Sequence, residues 1–139
     1  MPESFALPVD DVRPSQCYLD AERLASVLEW FDFDRPDYDP LPVIRDDVGW
    51  YLTDGHTRAF AAHLAGADEL RVVRDPDAEA LPLGIYERCL EWCADEGVTA
   101  IADLAGRVVS REAFLEGWVR RCHALPEHPG DSTDVDDYT

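Results

Sequence analysis

An α+β fold is expected, with a small mixed sheet and helices followed by a helical C-terminal part. Three observations carry this expectation. Short extended or β-prone runs over 11–16, 42–44, 50–53 and 70–73 occupy the first half, punctuated by Asp, Gly and Pro. Between them, 20–31 and 56–65 place apolar residues at helical spacing. Beyond Pro76 the periodicity is helical, apart from a short turn over 99–104. At 139 residues the chain has the size of one domain. The expected organisation is a lead-in over 1–10, a core over 11–76 and a helical extension of the same domain over 77–125. An acidic, solvated and disordered tail is expected over 126–139, which carries five acidic residues and no basic ones.

Each element has a local cause. Residues 1–10 hold two prolines and little periodicity. Residues 11–16 form an extended stretch, and Pro14 suits an edge strand. Asp20 caps a helix whose Leu24, Val27, Leu28 and Phe31 fall on one face, and the Asp- and Pro-rich run 32–40 ends it. Pro42-Val43-Ile44 and Trp50-Tyr51-Leu52-Thr53 flank Asp46-Asp47-Val48-Gly49, which predicts a hairpin. A small-residue helix follows from His56 to Ala65, anchored by Phe60 and Leu64, with Gly66 as its stop. His63 shares the side of Phe60 and Leu64 and is read as a packed residue. Leu70-Arg71-Val72-Val73 is a strand broken by Asp75-Pro76. Tyr86, Cys89, Leu90 and Cys93 share a helical face that ends at Gly97. A last helix begins after Ser110 and turns Phe114, Leu115, Trp118 and Val119 inward. Arg120 and Arg121 near its end suit the helix dipole.

Charge limits the function classes. The 12 basic residues are all Arg, and 30 acidic residues bring the net charge to −18. Such self-repulsion destabilises a compact domain in ordinary buffer, whereas at molar salt the screening length falls to ~3 Å. The composition is therefore that expected of a halophilic protein from a salt-loaded cytoplasm. Duplex DNA binding needs clustered cations, but the basic residues here are scattered, so nucleic acid is an unexpected partner. No uncharged apolar run approaches the ~20 residues of a spanning helix. Met1-Pro2-Glu3-Ser4 lacks the features of a secretion signal, and a cytoplasmic location is expected.

The four cysteines (Cys17, Cys89, Cys93 and Cys122) are accordingly expected to be reduced. A zinc site can be drawn from them, but paired Cys-x-x-Cys spacing is missing and free cysteine is a common core residue. They are read as packing residues. His123 and His128 receive no role.

The stretch with chemical content is Trp50–Gly66, in which a strand passes through Asp54-Gly55-His56-Thr57-Arg58 into a helix. A helix N-terminus presents unpaired amides and a positive dipole end, a ready site for phosphate. Gly55 permits close approach to the backbone, and Arg58 in the first turn can add a bidentate contact. Thr57 and His56 offer further donors. Asp54 opposes an anion unless Mg²⁺ bridges the two, and aspartate here is also an ordinary helix cap. An anion site and a plain capped turn both fit these residues. His56 fits either a proton-transfer role or that of a polar residue in the first helical turn.

The order strand, helix, hairpin, Gly-x-x-Arg-x-x-Ala and strand resembles the ParB/sulfiredoxin superfamily. Gly55, Arg58 and Ala61 stand at the fixed positions of that box. Pro14-Ser15-Gln16 resembles the Pro-x-Gln segment ahead of the first helix in ParB-like domains, and the likeness covers residues 12–74. The resemblance implies a nucleotide-phosphate-binding fold. Sulfiredoxin-like members carry a catalytic Cys where this chain has His56, so sulfinate reduction is not expected. ParB proper binds CTP through a box with Glu-Arg where this chain has His56-Thr57, so a partition clamp is not expected either. The string Asp54-Gly55-His56-x-Arg58 is similar to a subgroup that includes ParB-like nucleases and archaeal free serine kinases. That subgroup implies Asp54 and His56 as an acid–base or metal-contacting pair. Gly55, Thr57 and Arg58 would hold phosphate. Mg²⁺ and a nucleotide (ATP, ADP or CTP) are the implied cofactors, and Asp54 the metal contact.

The expected activity is phosphoryl transfer or hydrolysis on a small substrate, for which positioning and charge neutralisation suffice. One alternative is a non-catalytic ParB-like regulatory or partner-binding module, with Tyr86, Trp92, Phe114 and Trp118 as interface candidates. Another is a nuclease, which the net charge disfavours.

Overall fold

The computed structural model describes residues 3–125; the acidic tail expected over 126–139, with His128, lies outside them. The expected α+β class is what the structure shows. A five-stranded mixed sheet has the order β1-β6-β4-β5-β2, from β1 (Phe5–Pro8), β2 (Val12–Arg13), β4 (Leu41–Arg45), β5 (Trp50–Leu52) and β6 (Glu69–Arg74). The β4–β5 hairpin is antiparallel, with Ile44 opposite Tyr51, while β6 runs parallel to β4 and β2 parallel to β5. The hairpin closes through Asp46, whose carboxylate accepts the amides of Val48 and Gly49 at 2.9 Å. A turn aspartate that satisfies amides two and three residues on is the local cause of this reversal.

Phe5–Pro8, read from sequence as part of a lead-in, pairs antiparallel with β6 and forms one edge of the sheet. Phe5 and Leu7 are half-buried and pack on the core, and Pro8 is tolerated because the strand is an edge. The alternation is too short to stand out in the sequence. At the opposite edge, β2 keeps two residues of the extended stretch.

Two short strands form a second, parallel ladder: β3 (Leu19–Asp20) with β7 (Val108–Val109). This ladder ties the entry of α1 (Ala21–Trp30) to the C-terminal part. Asp20 caps α1 as expected, accepting the Glu22 amide at 2.9 Å. Val27 and Phe31 are buried and Leu24 packs on the core, but Leu28 is 37% exposed. In the α2 helix (His56–Leu64), Phe60 is buried while Leu64 points outward at 49% exposure, so Leu64 is not the anchor expected. His63 keeps to the Phe60 ring, 6.1 Å between centroids. Gly66 follows α2 with φ 85°, as its role of helix stop requires.

The helical extension consists of α3 (Leu83–Asp95), a 3-10 turn (Ile101–Gly106) and a C-terminal run. That run is α4 (Arg111–Phe114), a π-helical turn (Leu115–Val119) and α5 (Arg120–His123), opened by the Ser110 cap. Phe114 and Trp118 are buried, so two of the four aromatics named for an interface are core residues. Trp92 packs edge-on to Trp118 at 5.8 Å. Arg121 lies over Trp92 at 3.9 Å and pairs with Glu96 at 3.1 Å, while Arg120 pairs with Glu116 at 2.8 Å. Packing and ion pairs therefore account for both arginines beyond the dipole. Among the described residues, no helix is long and apolar enough to cross a membrane.

Candidate functional site

The turn between β5 and α2 brings all five predicted residues together at the head of one helix. Gly55 adopts φ 78°, ψ 20°, a left-handed conformation that glycine reaches without cost. A side chain there would bring its Cβ within 2.7 Å of Leu41 Cδ2 and 2.9 Å of Arg58 Nη2. Gly55 is thus favoured by its dihedrals and by the buried Leu41 side chain, and the Arg58 guanidinium folds back across it.

Arg58 is half-buried, and Nη1 donates to the Asp39 carbonyl at 3.3 Å. Among the described residues no carboxylate pairs with it. In a chain of 30 acidic residues, a cation at a helix N-terminus whose one side-chain hydrogen bond among the described residues is long has donors to spare. Asp54 is half-buried, and its Oδ1 accepts the Gly55 amide at 2.7 Å. The carboxylate therefore spends one oxygen on the turn itself. Thr57 is buried, as are its neighbours Gly55 and His56.

His56 sits differently. Its side chain is fully enclosed, and Nε2 accepts the Ser15 amide at 2.9 Å, with Ser15 Oγ at 3.4 Å. Ser15 Oγ in turn donates to the Leu52 carbonyl at 2.7 Å. Nδ1 is buried without a hydrogen-bond partner among the described residues. Burial pushes the pKa of the ring down to about 3, so the imidazole is neutral at ordinary pH. The Pro14-Ser15-Gln16 segment and the Gly-x-x-Arg box, about 40 residues apart, meet at this one ring.

Residues to which the sequence reading gives no part at this turn complete the surroundings. Thr53 Oγ1 donates to Asp75 Oδ2 at 2.5 Å, and Tyr86 of α3 donates its hydroxyl to the Thr53 carbonyl at 3.2 Å. Burial first, then the charges of Asp75 and Asp54, push the Tyr86 hydroxyl pKa upward. In sequence Asp75 reads as a strand breaker, and only its tertiary contact with Thr53 gives it a further part. Among the described residues no group of three or more His, Cys, Asp or Glu is placed to hold a metal ion. Clefts lined by described residues lie beside Tyr38 and on both sides of Arg13, and the head of α2 lines none of these.

No protein-family model and no curated protein matches the chain. Among solved structures, the chain is similar to protein Atu1540 from Agrobacterium tumefaciens, at 18% identity and a TM-score of 0.42. That likeness covers 53% of this chain and 39% of Atu1540, well under half of that protein's length.

Proposed function

We propose that the chain is a ParB/sulfiredoxin-like domain that binds the phosphates of a nucleotide (ATP, ADP or CTP) at the head of α2. The observation that supports this reading is Arg58, half-buried across Gly55 with no carboxylate partner among the described residues. In this reading the first amides of α2 and the Arg58 guanidinium bind phosphate oxygens. Asp54 offers its second carboxylate oxygen to Mg²⁺, which would neutralise phosphate charge when bound. His56 positions the turn by holding Ser15 and takes no part in proton transfer to a substrate. The activity proposed is phosphoryl transfer or hydrolysis on a small substrate, with Asp54 as the carboxylate nearest the phosphates.

A second reading, a non-catalytic ParB-like regulatory module, is favoured by the enclosure of His56, which removes the acid–base group from contact with a substrate. Thermal melts with ATP, ADP and CTP in concentrated KCl and Mg²⁺ test the binding claim, since a ligand of the native state raises the melting temperature. Product analysis then separates the two readings. Release of the nucleotide shortened by one phosphate (the diphosphate from ATP or CTP, AMP from ADP), or a phosphorylated small acceptor, supports the enzyme; binding without turnover supports the module.

A further inference from the structure

The four cysteines meet as two pairs. Cys17 Sγ lies 3.2 Å from Cys93 Sγ, and Cys89 Sγ lies 3.9 Å from Cys122 Sγ. All four are free thiols and buried, the first two at 0% and 1% exposure. Cys89 and Cys93 are four residues apart in α3, so both pairs converge on one face of that helix. Cys17 is held from the other side: its carbonyl accepts Arg107 Nε at 3.1 Å, and Leu19 pairs with Val108 two residues later. The two sulfurs of the first pair are therefore fixed against each other by backbone on both sides.

We propose that Cys17 and Cys93 are a modification site, closing to an intramolecular disulfide by exchange with a small-molecule disulfide. The Cys17 thiolate attacks that disulfide, forming a mixed disulfide and expelling one small thiol. Cys93 then attacks the Cys17 sulfur and expels the second. Two protein thiols are oxidised, one small disulfide is reduced to two thiols, and the protons leave with those thiols. An S–S bond of ~2.05 Å requires a further approach on the order of 1 Å.

The hydrogen bond from Cys17 and burial both push the Cys93 thiol pKa up, which makes native thiolate scarce. Exchange accordingly runs while the chain folds or opens locally, and the folded contact then selects this pairing. The bridge joins residues 76 apart in sequence, tying the segment ahead of α1 to α3. A loop of that length strongly constrains the unfolded chain, so the oxidised protein is the more stable form.

The test is to refold the reduced, denatured full chain at high salt in a buffer of oxidised and reduced glutathione. Remaining thiols are alkylated and the peptides mapped by mass spectrometry without reduction. The expected product carries a Cys17–Cys93 link, whether or not Cys89–Cys122 is linked as well. Its melting temperature exceeds that of the reduced protein by roughly 10 °C, and dithiothreitol removes the difference. Four alkylated cysteines in the refolded protein, or Cys17 or Cys93 linked only to other partners, overturn the proposal. Cys17→Ser and Cys93→Ser should each shrink the reductant-sensitive step in melting by the share that the Cys17–Cys93 link supplies; should either fail to fold, the wild-type peptide map decides alone.

Discussion

His56 Nε2 accepts the backbone N–H of Ser15 at 2.9 Å, joining the first residue of α2 to the segment that precedes α1. Because Nε2 is the acceptor, the proton of the neutral ring sits on Nδ1, which is buried with no partner among the described residues. Protonating Nε2 would break this bond and bury a charge.

Stability should therefore depend on pH through His56. Its pKa is about 3 in the folded protein, against ~6.5 in the unfolded chain. Between these values the unfolded chain binds more protons, so stability falls as the pH drops from ~6.5 toward 3. The loss from pH 6.5 to 4.5 should reach about 2–3 kcal/mol. His56→Gln keeps an acceptor for Ser15 without titrating there, so its urea midpoint should fall less over that range than that of wild type. An equal fall in both proteins would assign the pH dependence elsewhere.

Gly55→Ala should destabilise the fold by roughly 1–3 kcal/mol. The φ of 78° disfavours any side chain, and the new Cβ meets Leu41 and Arg58 at under 3 Å. Urea unfolding measures the cost. Gly55→Ala as stable as wild type would mean that the turn is not left-handed.

Glu96 gathers three donors: Arg107, Arg121 at 3.1 Å and the Tyr18 hydroxyl at 3.0 Å. Burial raises its pKa, but the bonds from Arg107, Tyr18 and Arg121 outweigh that and hold the carboxyl below its ordinary value. Glu96→Gln should cost roughly 1–2 kcal/mol at low salt. Screening should shrink that difference in molar KCl, since the side chains are partly exposed. A cost that grows with salt would contradict this assignment.

Asp20 performs two tasks at 3% exposure: it caps α1 through the Glu22 amide and pairs with Arg111 at 2.8 Å. Asp20→Ala should cost roughly 2–4 kcal/mol, and Asp20→Asn, which retains a capping oxygen, should cost less. Equal losses in denaturant titrations would assign the whole effect to the charge.

What the sequence made legible was local. Asp46 and Gly49 announced the hairpin, Asp20 and Ser110 the helix starts, and Asp54-Gly55-x-x-Arg58 the turn at the head of α2. What it concealed was set by distant partners. The β3–β7 ladder pairs Leu19 with Val108, and neither two-residue strand carries an alternation of its own. Phe5–Pro8 becomes a strand only because β6 offers an edge. The site was legible in its membership but not in its division of labour. His56 and Arg58 are two positions apart in one helical turn, yet one faces Ser15 in the interior and the other lies over Gly55. Tertiary contact, not residue type, separates a positioning residue from one with donors to spare.

Binding at the head of α2 can be measured by calorimetric titration of ATP, ADP and CTP with Mg²⁺ into the full chain and into Arg58→Ala at high KCl. Saturable heat with at least one nucleotide, reduced tenfold or more in affinity by the substitution while the apo melting temperature holds within a few degrees, is the predicted result. Binding that is indifferent to Arg58, or no heat with any of the three, would contradict a phosphate site at this turn.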